Sequence, residues 1–215
     1  MSRFALIKRL KTCCLITAAF ALGAQAVAGD FEDGQDAYER GDYPAAFDRY
    51  QAAAEAGHQD AQYRLAEMYH EGTGIERDES LAAYWYRKTA ERGNSDAQYW
   101  LCIMHREGMG VPRDYGESFY WCLRASENGH AAALFAVGQF YFDGLGNGFT
   151  RNHVKAYIWY SLALEQGDED APLMLEVLER DMPPLQIESA QRQARHWVES
   201  GRAPCTSNNQ RARAC

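Results

Sequence analysis

The chain has 215 residues, 47% of them hydrophobic, and carries 22 lysine and arginine residues against 30 aspartate and glutamate residues. The formal charge of −8 at pH 7 argues against a nucleic-acid partner, because phosphates are bound through an excess of basic side chains. The same negative balance disfavours binding to anionic lipid head groups.

The chain opens with the pattern of a signal peptide. Residues 1–11 carry four basic residues and no acidic one, and residues 13–28 are almost entirely apolar. We predict cleavage after Ala28, which follows a small-x-small sequence. An uncleaved anchor is the alternative, but the apolar stretch is shorter than the roughly 20 residues of a membrane span. Cleavage would remove four basic residues and lower the formal charge to −12, and we expect the mature protein in the periplasm, with secretion as the alternative.

Three copies of one unit follow a shorter hairpin, which is predicted over residues 29–58 with Gly41-Asp42-Tyr43 as its turn. The copies span residues 59–94, 95–130 and 131–168, and the third has two extra residues. A fixed period of this size predicts a stacked-repeat solenoid. One tryptophan recurs in each copy, and we assign all three to the core: Trp85, Trp121 and Trp159.

Apolar positions recur at helical spacing in two segments of each unit, so each unit is predicted to be a helical hairpin. Paired glycines such as Gly72 and Gly74 end the first helix, because glycine adopts left-handed conformations without a side-chain clash. The second helices are expected to be capped by Asp78, Asp114 and Asn152.

After the last repeat, residues 169–200 hold two amphipathic helices separated by Pro183-Pro184. We expect this pair to cover the open apolar end of the stack. The tail, residues 201–215, has no apolar run and is expected to be flexible. The predicted fold class is therefore all-α, an α/α solenoid of about five helix pairs.

The pattern A-x-x-x-L-[AG]-x-x-Y-x-x-G-x-G, followed by D-x-x-x-[AS]-x-x-W-Y-x-x-[AS]-x-x-x-G, resembles the Sel-one-like repeat, a relative of the tetratricopeptide repeat. The resemblance covers about residues 30–171, and the hairpin at 29–58 is closer to the tetratricopeptide form. It implies a right-handed superhelix whose concave groove binds segments of other proteins, often in bacterial envelope assembly, virulence or signal control. It brings no catalytic residues and no cofactor, and few members are enzymes.

In such solenoids the first helix of each pair lines the groove, and the resemblance therefore selects three positions in each repeat. These candidate binding residues are Tyr63, Glu67, His70, Tyr99, Ile103, Arg106, Phe135, Gln139 and Phe142. Aromatic side chains at equivalent positions could anchor a partner, since they bury a large area with few rotamers to freeze. The alternative is that these aromatic rings only pack between neighbouring helices.

Four cysteines remain once the signal peptide is removed: Cys102, Cys122, Cys205 and Cys215. In similar hairpins the positions of Cys102 and Cys122 face each other, and an exported chain sits in an oxidising compartment. Of the three possible connectivities we predict Cys102 with Cys122 and Cys205 with Cys215. The alternatives are two buried thiols for the first pair and a partly reduced or intermolecular pair for the second. A metal site is disfavoured, because no C-x-x-C or nearby histidine pair exists.

Motifs of catalysis are missing from the sequence, which has no G-x-S-x-G, H-E-x-x-H or phosphate loop. Histidines occur in several repeats, and the equivalent turn positions of His58 and His130 are explained by divergence of the repeats. We therefore predict an adaptor or regulator of an envelope process that binds a protein or peptide. The alternatives are binding of a cell-wall glycan or peptide, or a peptidoglycan-related hydrolase.

Overall fold

Ten helices make up the part of the chain that the computed structural model describes, residues 29–146 and 150–200, and no strand occurs in these ranges. They are α1 (29–39), α2 (Tyr43–Glu55), α3 (Gln59–Glu71), α4 (Glu79–Ala90), α5 (Ser95–Glu107), α6 (Tyr115–Glu127), α7 (Ala131–Asp143), α8 (His153–Glu165), α9 (Ala171–Asp181) and α10 (Pro184–Ser200). The predicted all-α class and the five helix pairs are thus found in the described residues. The predicted signal peptide and tail lie outside them.

The ends of the repeat helices are set by local hydrogen bonds. Asp78, Asp114 and Asn152 accept backbone N–H groups at the starts of α4, α6 and α8, as predicted, and so satisfy donors that have no partner within the helix. The first helix of each repeat ends at a left-handed glycine, as at Gly72, where φ is 74°. These signals recur with the repeat period, and they fix where each hairpin turns.

The helices fall into two compact units that divide within α4, one up to Trp85 and the other from Tyr86 onward. In the first unit, Tyr50 and Met68 form one buried cluster, and Leu65 packs with buried alanines in a second. Trp85 packs against this second cluster but is only partly buried. Its assignment to the core is therefore a correction: the indole also packs edge-to-face on Tyr84, with 5.1 Å between ring centroids, and Tyr84 is itself exposed and leaves the indole partly open to solvent.

The second unit has a core of large aromatic side chains. Trp121 and Trp159 are buried, as predicted, and Phe119 packs edge-to-face on Phe140, with 5.3 Å between ring centroids. Arg87 lies over the ring of Trp121 at 5.6 Å. The tryptophans of the second and third repeats thus anchor successive helix pairs within this unit.

The last two helices pack on α8. Leu178 of α9 and Ala190 of α10 are buried, and Trp197 of α10 lies 6.5 Å from Trp159, measured between ring centroids. Ile158 of α8 is 1% exposed, whereas Tyr120, its equivalent on α6, is 42% exposed. The α9–α10 pair therefore covers a side of α8 whose counterpart on α6 is open to solvent.

Candidate functional site

The six candidate positions in the second unit lie on α5 and α7, which are the first helices of two consecutive repeats. We call them the α5/α7 face: Tyr99, Ile103, Arg106, Phe135, Gln139 and Phe142. Their spacing of i, i+4 and i+7 on each helix places them on one side of that helix. All six side chains are partly exposed. The structure therefore leaves each of these positions accessible to a partner.

Tyr99 connects the two helices of the face. Its ring lies 4.6 Å from the imidazole of His130, between ring centroids, and His130 Nε2 lies 3.4 Å from Asp96 Oδ1. His130 also accepts the backbone N–H of Ala133 through Nδ1, so it caps α7 while it supports Tyr99. Burial raises the pKa of the Tyr99 hydroxyl, the positive charge of Arg106 opposes this rise, and Asp168 adds to it.

Phe135 and Phe142 pack within their own hairpin. Both lie against Tyr160 of α8, at centroid distances of 5.0 and 6.4 Å, and Phe142 stacks on His153 at 5.6 Å. The rings are thus held in place by α8 and remain partly exposed. Internal packing and an anchoring role are compatible in this arrangement, because one side of a ring can be covered while the other stays open.

The three candidate positions in the first unit lie on α3 and form a more polar surface. Tyr63 donates a hydrogen bond to Glu67, and Arg64 contacts the same carboxylate at 2.9 Å. Burial raises the pKa of Glu67, although Arg64 and Tyr63 oppose the rise. His70 Nδ1 lies 2.9 Å from Glu79 Oε2. The side chains of Tyr63, Glu67 and His70 are all partly exposed.

The Glu79 carboxylate is held by two side chains. Burial alone would raise its pKa, but hydrogen bonds from His70 and Arg77 bring the pKa below its ordinary value. His70 is thus part of a hydrogen-bond network of the α3–α4 hairpin. His70 therefore has a structural role, since it holds Glu79, although its side chain remains partly exposed.

A disulfide joins α5 to α6 in the structure, between Cys102 and Cys122, whose Cα atoms are 5.1 Å apart. Both residues are fully buried, and the Ser118 hydroxyl donates to the Cys102 carbonyl at 2.7 Å. The second predicted pair, Cys205 and Cys215, lies outside the described residues. Within the described ranges, no group of three or more His, Cys, Asp and Glu side chains is placed to hold a metal ion.

A pocket between α8, α9 and α10 was missed by the sequence reasoning. Its volume is about 450 Å³. At its wall the Tyr157 hydroxyl donates to Glu179 Oε1 at 2.6 Å and accepts from Gln191 Nε2 at 3.1 Å. Burial and the bond to Glu179 raise the pKa of Tyr157. The sequence held no signal for this pocket, because α9 and α10 lie outside the repeat period.

None of the helices within residues 29–146 and 150–200 combines the length and the apolar character that a bilayer crossing requires.

Comparisons with known proteins agree with the helix-pair architecture. The sequence model of the Sel1 repeat matches residues 17–58, 59–94, 95–130 and 131–168. A crystal structure of c5321, a protective antigen present in uropathogenic Escherichia coli strains and displaying an SLR fold, is 31% identical with a TM-score of 0.68 and covers 80% of this chain. The match covers 39% of c5321, so the chain spans about two fifths of the length of that relative.

A second solved structure matches nearly along its whole length. It is a Sel1 repeat protein from Oxalobacter formigenes, 26% identical with a TM-score of 0.62, and the match covers 81% of this chain and 86% of that one. No curated protein matches the chain. The likeness to two solved repeat proteins confirms the predicted α/α solenoid class.

Proposed function

Because the chain belongs to the Sel1 repeat family, whose fold is generally a non-catalytic scaffold for protein–protein interaction, we propose that it is an adaptor whose α5/α7 face binds a segment of another protein. The observation that carries this proposal is the common exposure of six equivalent side chains on two consecutive first helices. Equivalent positions that stay open in successive repeats give an extended partner a continuous row of contacts.

The chemistry of the face fits a peptide segment. Tyr99, Phe135 and Phe142 are already packed on His130, Tyr160 and His153. Binding therefore freezes few additional rotamers of these rings, which lowers the entropic cost of association. Gln139 supplies hydrogen-bond donors on the same face, as does Arg106, whose Nε is paired with Glu107 at 2.9 Å while its other N–H groups can still donate. An apolar side chain flanked by a carboxylate or a backbone carbonyl is the partner chemistry that this surface suits best.

We further propose that the adaptor acts in the periplasm, in an envelope process such as assembly, signalling or virulence, with secretion as the alternative. The basic and apolar opening of the chain supports export. The disulfide between Cys102 and Cys122 is in keeping with an oxidising compartment.

The glycan and hydrolase alternatives have less support. The exposed rings of the α5/α7 face would suit a sugar as well as an apolar side chain, so the choice of a peptide rests on the role of the Sel1 repeat fold as a scaffold for protein–protein interaction. A thiol nucleophile for a hydrolase would need a free cysteine, and the two cysteines among the described residues are bonded to each other. The adaptor proposal therefore rests on the family's scaffold role, which gives no comparable support to either alternative.

Site-specific photo-cross-linking in living cells tests the proposal. A photoreactive phenylalanine analogue is introduced at Ile103 or Gln139 on the α5/α7 face, and at Tyr120, which is exposed on α6, as the matched control. We expect a discrete protein adduct from Ile103 and Gln139 and none from Tyr120. Equal adducts from all three positions, or adducts from Tyr120 alone, would reject the face as the binding site.

A further inference from the structure

We propose that the pocket between α8, α9 and α10, here called the end pocket, is a second binding site and accepts a peptide segment that carries both basic and apolar side chains. Its lining residues share none with the α5/α7 face. The inference therefore goes beyond the adaptor proposal and stands or falls independently of it.

The size of the end pocket suits a few side chains. Its volume of about 450 Å³ lies within the range of about 300–1,000 Å³ that ligand pockets occupy. Three helices form its wall, and each is anchored in the core of the second unit: Tyr157 on α8, Leu175 on α9 and Ala194 on α10 are all buried. A cavity between packed helices is present before a ligand arrives, so binding does not have to create it.

Apolar side chains supply one part of the recognition. Leu164, at the end of α8, and Val198, near the end of α10, line the pocket while they are 43% and 50% exposed. These two side chains offer an apolar surface that is open to solvent, and the buried Leu175 lines the pocket beside them. A leucine or the aliphatic stem of a long side chain would cover this surface and remove it from water.

Charge decides which polar group the ligand carries. Three carboxylates line the pocket, those of Glu165, Glu179 and Glu199, against one guanidinium, that of Arg195. The balance is negative, and it lies beside apolar surface that can bury the stem of a lysine or an arginine. A basic side chain that reaches the carboxylates therefore complements the pocket, whereas an acidic one would meet repulsion.

One of the three carboxylates is fixed in position. Glu179 accepts the Tyr157 hydroxyl at 2.6 Å, and Gln191 in turn donates to the Tyr157 oxygen at 3.1 Å. These bonds link α8, α9 and α10 at the wall of the pocket. A carboxylate oriented in this way loses little freedom when a cation binds, which favours association.

Fluorescence polarisation with the full chain tests the proposal. The probe is a fluorescein-labelled peptide of sequence LRALRALR, and the comparison peptides are LEALEALE and GRAGRAGR. We expect the first peptide to bind, the acidic peptide to fail, and the leucine-free peptide to bind more weakly. Binding of LRALRALR should weaken as salt rises, because Glu165 and Glu199 are exposed to screening ions.

Charge variants of opposite sign locate the site. Glu165→Gln/Glu199→Gln should weaken binding of LRALRALR about fivefold, as expected for two exposed ion pairs, while Arg195→Gln should strengthen it. Glu91→Gln/Glu127→Gln removes two exposed carboxylates that do not line the pocket, and it should leave the affinity unchanged. Tyr99→Ala/Phe135→Ala should also leave it unchanged, which separates this site from the proposed adaptor face.

Three results would overturn the proposal. No binding of LRALRALR at millimolar peptide is the first. An equal loss of affinity in the Glu165/Glu199 and Glu91/Glu127 variants is the second, since it would show attraction to the overall negative charge only. Weaker binding of LRALRALR to Arg195→Gln is the third, because it would show that attraction between the basic side chains of the peptide and the carboxylates of the pocket does not drive binding.

Discussion

The ring of Tyr160 occupies the space that a side chain at position 138 would need, since a Cβ atom placed on Gly138 would lie 2.6 Å from Tyr160 Cε1. The equivalent residues of the preceding repeat are Cys102 and Cys122, which are joined by a disulfide. The amino-terminal hairpin repeats the first arrangement, because a Cβ atom on Gly34 would lie 2.7 Å from the ring of Tyr50. In each of these three hairpins, the two helices are therefore held close together either by a tyrosine ring packed on a glycine or by a disulfide bond.

Replacement of Gly138 by alanine should destabilise the second unit. The added methyl group would force the buried Tyr160 ring or the α7 backbone to move, and such overpacking costs about 1–3 kcal/mol. Urea unfolding followed by circular dichroism measures the effect. Gly29→Ala is the control, because a Cβ atom there has no other atom within 4 Å. A Gly138→Ala protein as stable as the wild type would show that α7 and α8 are not packed as closely as described.

Loss of the Cys102–Cys122 disulfide should also lower stability. The bond closes a segment with a sequence separation of 20 residues, and in the chain-entropy model a loop of this size contributes about 3 kcal/mol. We expect Cys102→Ala/Cys122→Ala to unfold at a lower urea concentration than the oxidised wild type. Reductant should lower the stability of the wild type and leave the double variant unaffected. Equal sensitivity of both proteins to reductant would contradict the bond.

The free energy of unfolding should depend on pH through two histidines, the buried His105 and the partly buried His130. Burial lowers the pKa of His130, against the opposing effect of Asp96, and burial and Arg87 lower the pKa of His105. The folded state therefore favours the neutral rings, and the unfolded state binds more protons near the ordinary pKa of 6.5. Stability should be fully present above that value and should fall as the pH drops through it towards the lowered pKa values.

His130→Asn isolates one of these two contributions. Asn94 caps α5 at the position equivalent to His130, so asparagine should preserve the cap of α7 while it removes the titrating ring. We expect a smaller loss of stability between pH 7.5 and pH 5 than in the wild type, measured by urea unfolding at each pH. The same pH dependence in both proteins would show that His130 does not carry this effect.

The period of the sequence predicted the helices because the turn glycines and the capping residues recur with it. The role of His58 and His130 was missed, and their equivalence was attributed to divergence of the repeats. Both accept a backbone N–H three residues later and cap α3 and α7. Histidine is outside the usual set of capping residues, so its local sequence did not reveal this function.

The end pocket could not be predicted for a different reason. Its α9 and α10 walls lie outside the repeated period, so no equivalent positions exist with which to compare them. Glu179 and Gln191 meet at Tyr157 only because α9 and α10 both pack on α8. An amphipathic pattern indicates which side of a helix is apolar, but it does not indicate which polar residues of two helices converge.

The central claim is that the α5/α7 face binds a protein partner, and the affinity of the cross-linked partner for face variants tests it most directly. Calorimetry would compare the wild type with Arg106→Glu, with Tyr99→Ala/Phe135→Ala and, as the matched control, with Tyr120→Ala, after circular dichroism has shown that each variant is folded. The account predicts at least about tenfold weaker binding for both face variants, as truncation of anchoring side chains costs more than about 1 kcal/mol, and an unchanged affinity for Tyr120→Ala. Unchanged affinity in both face variants would contradict it.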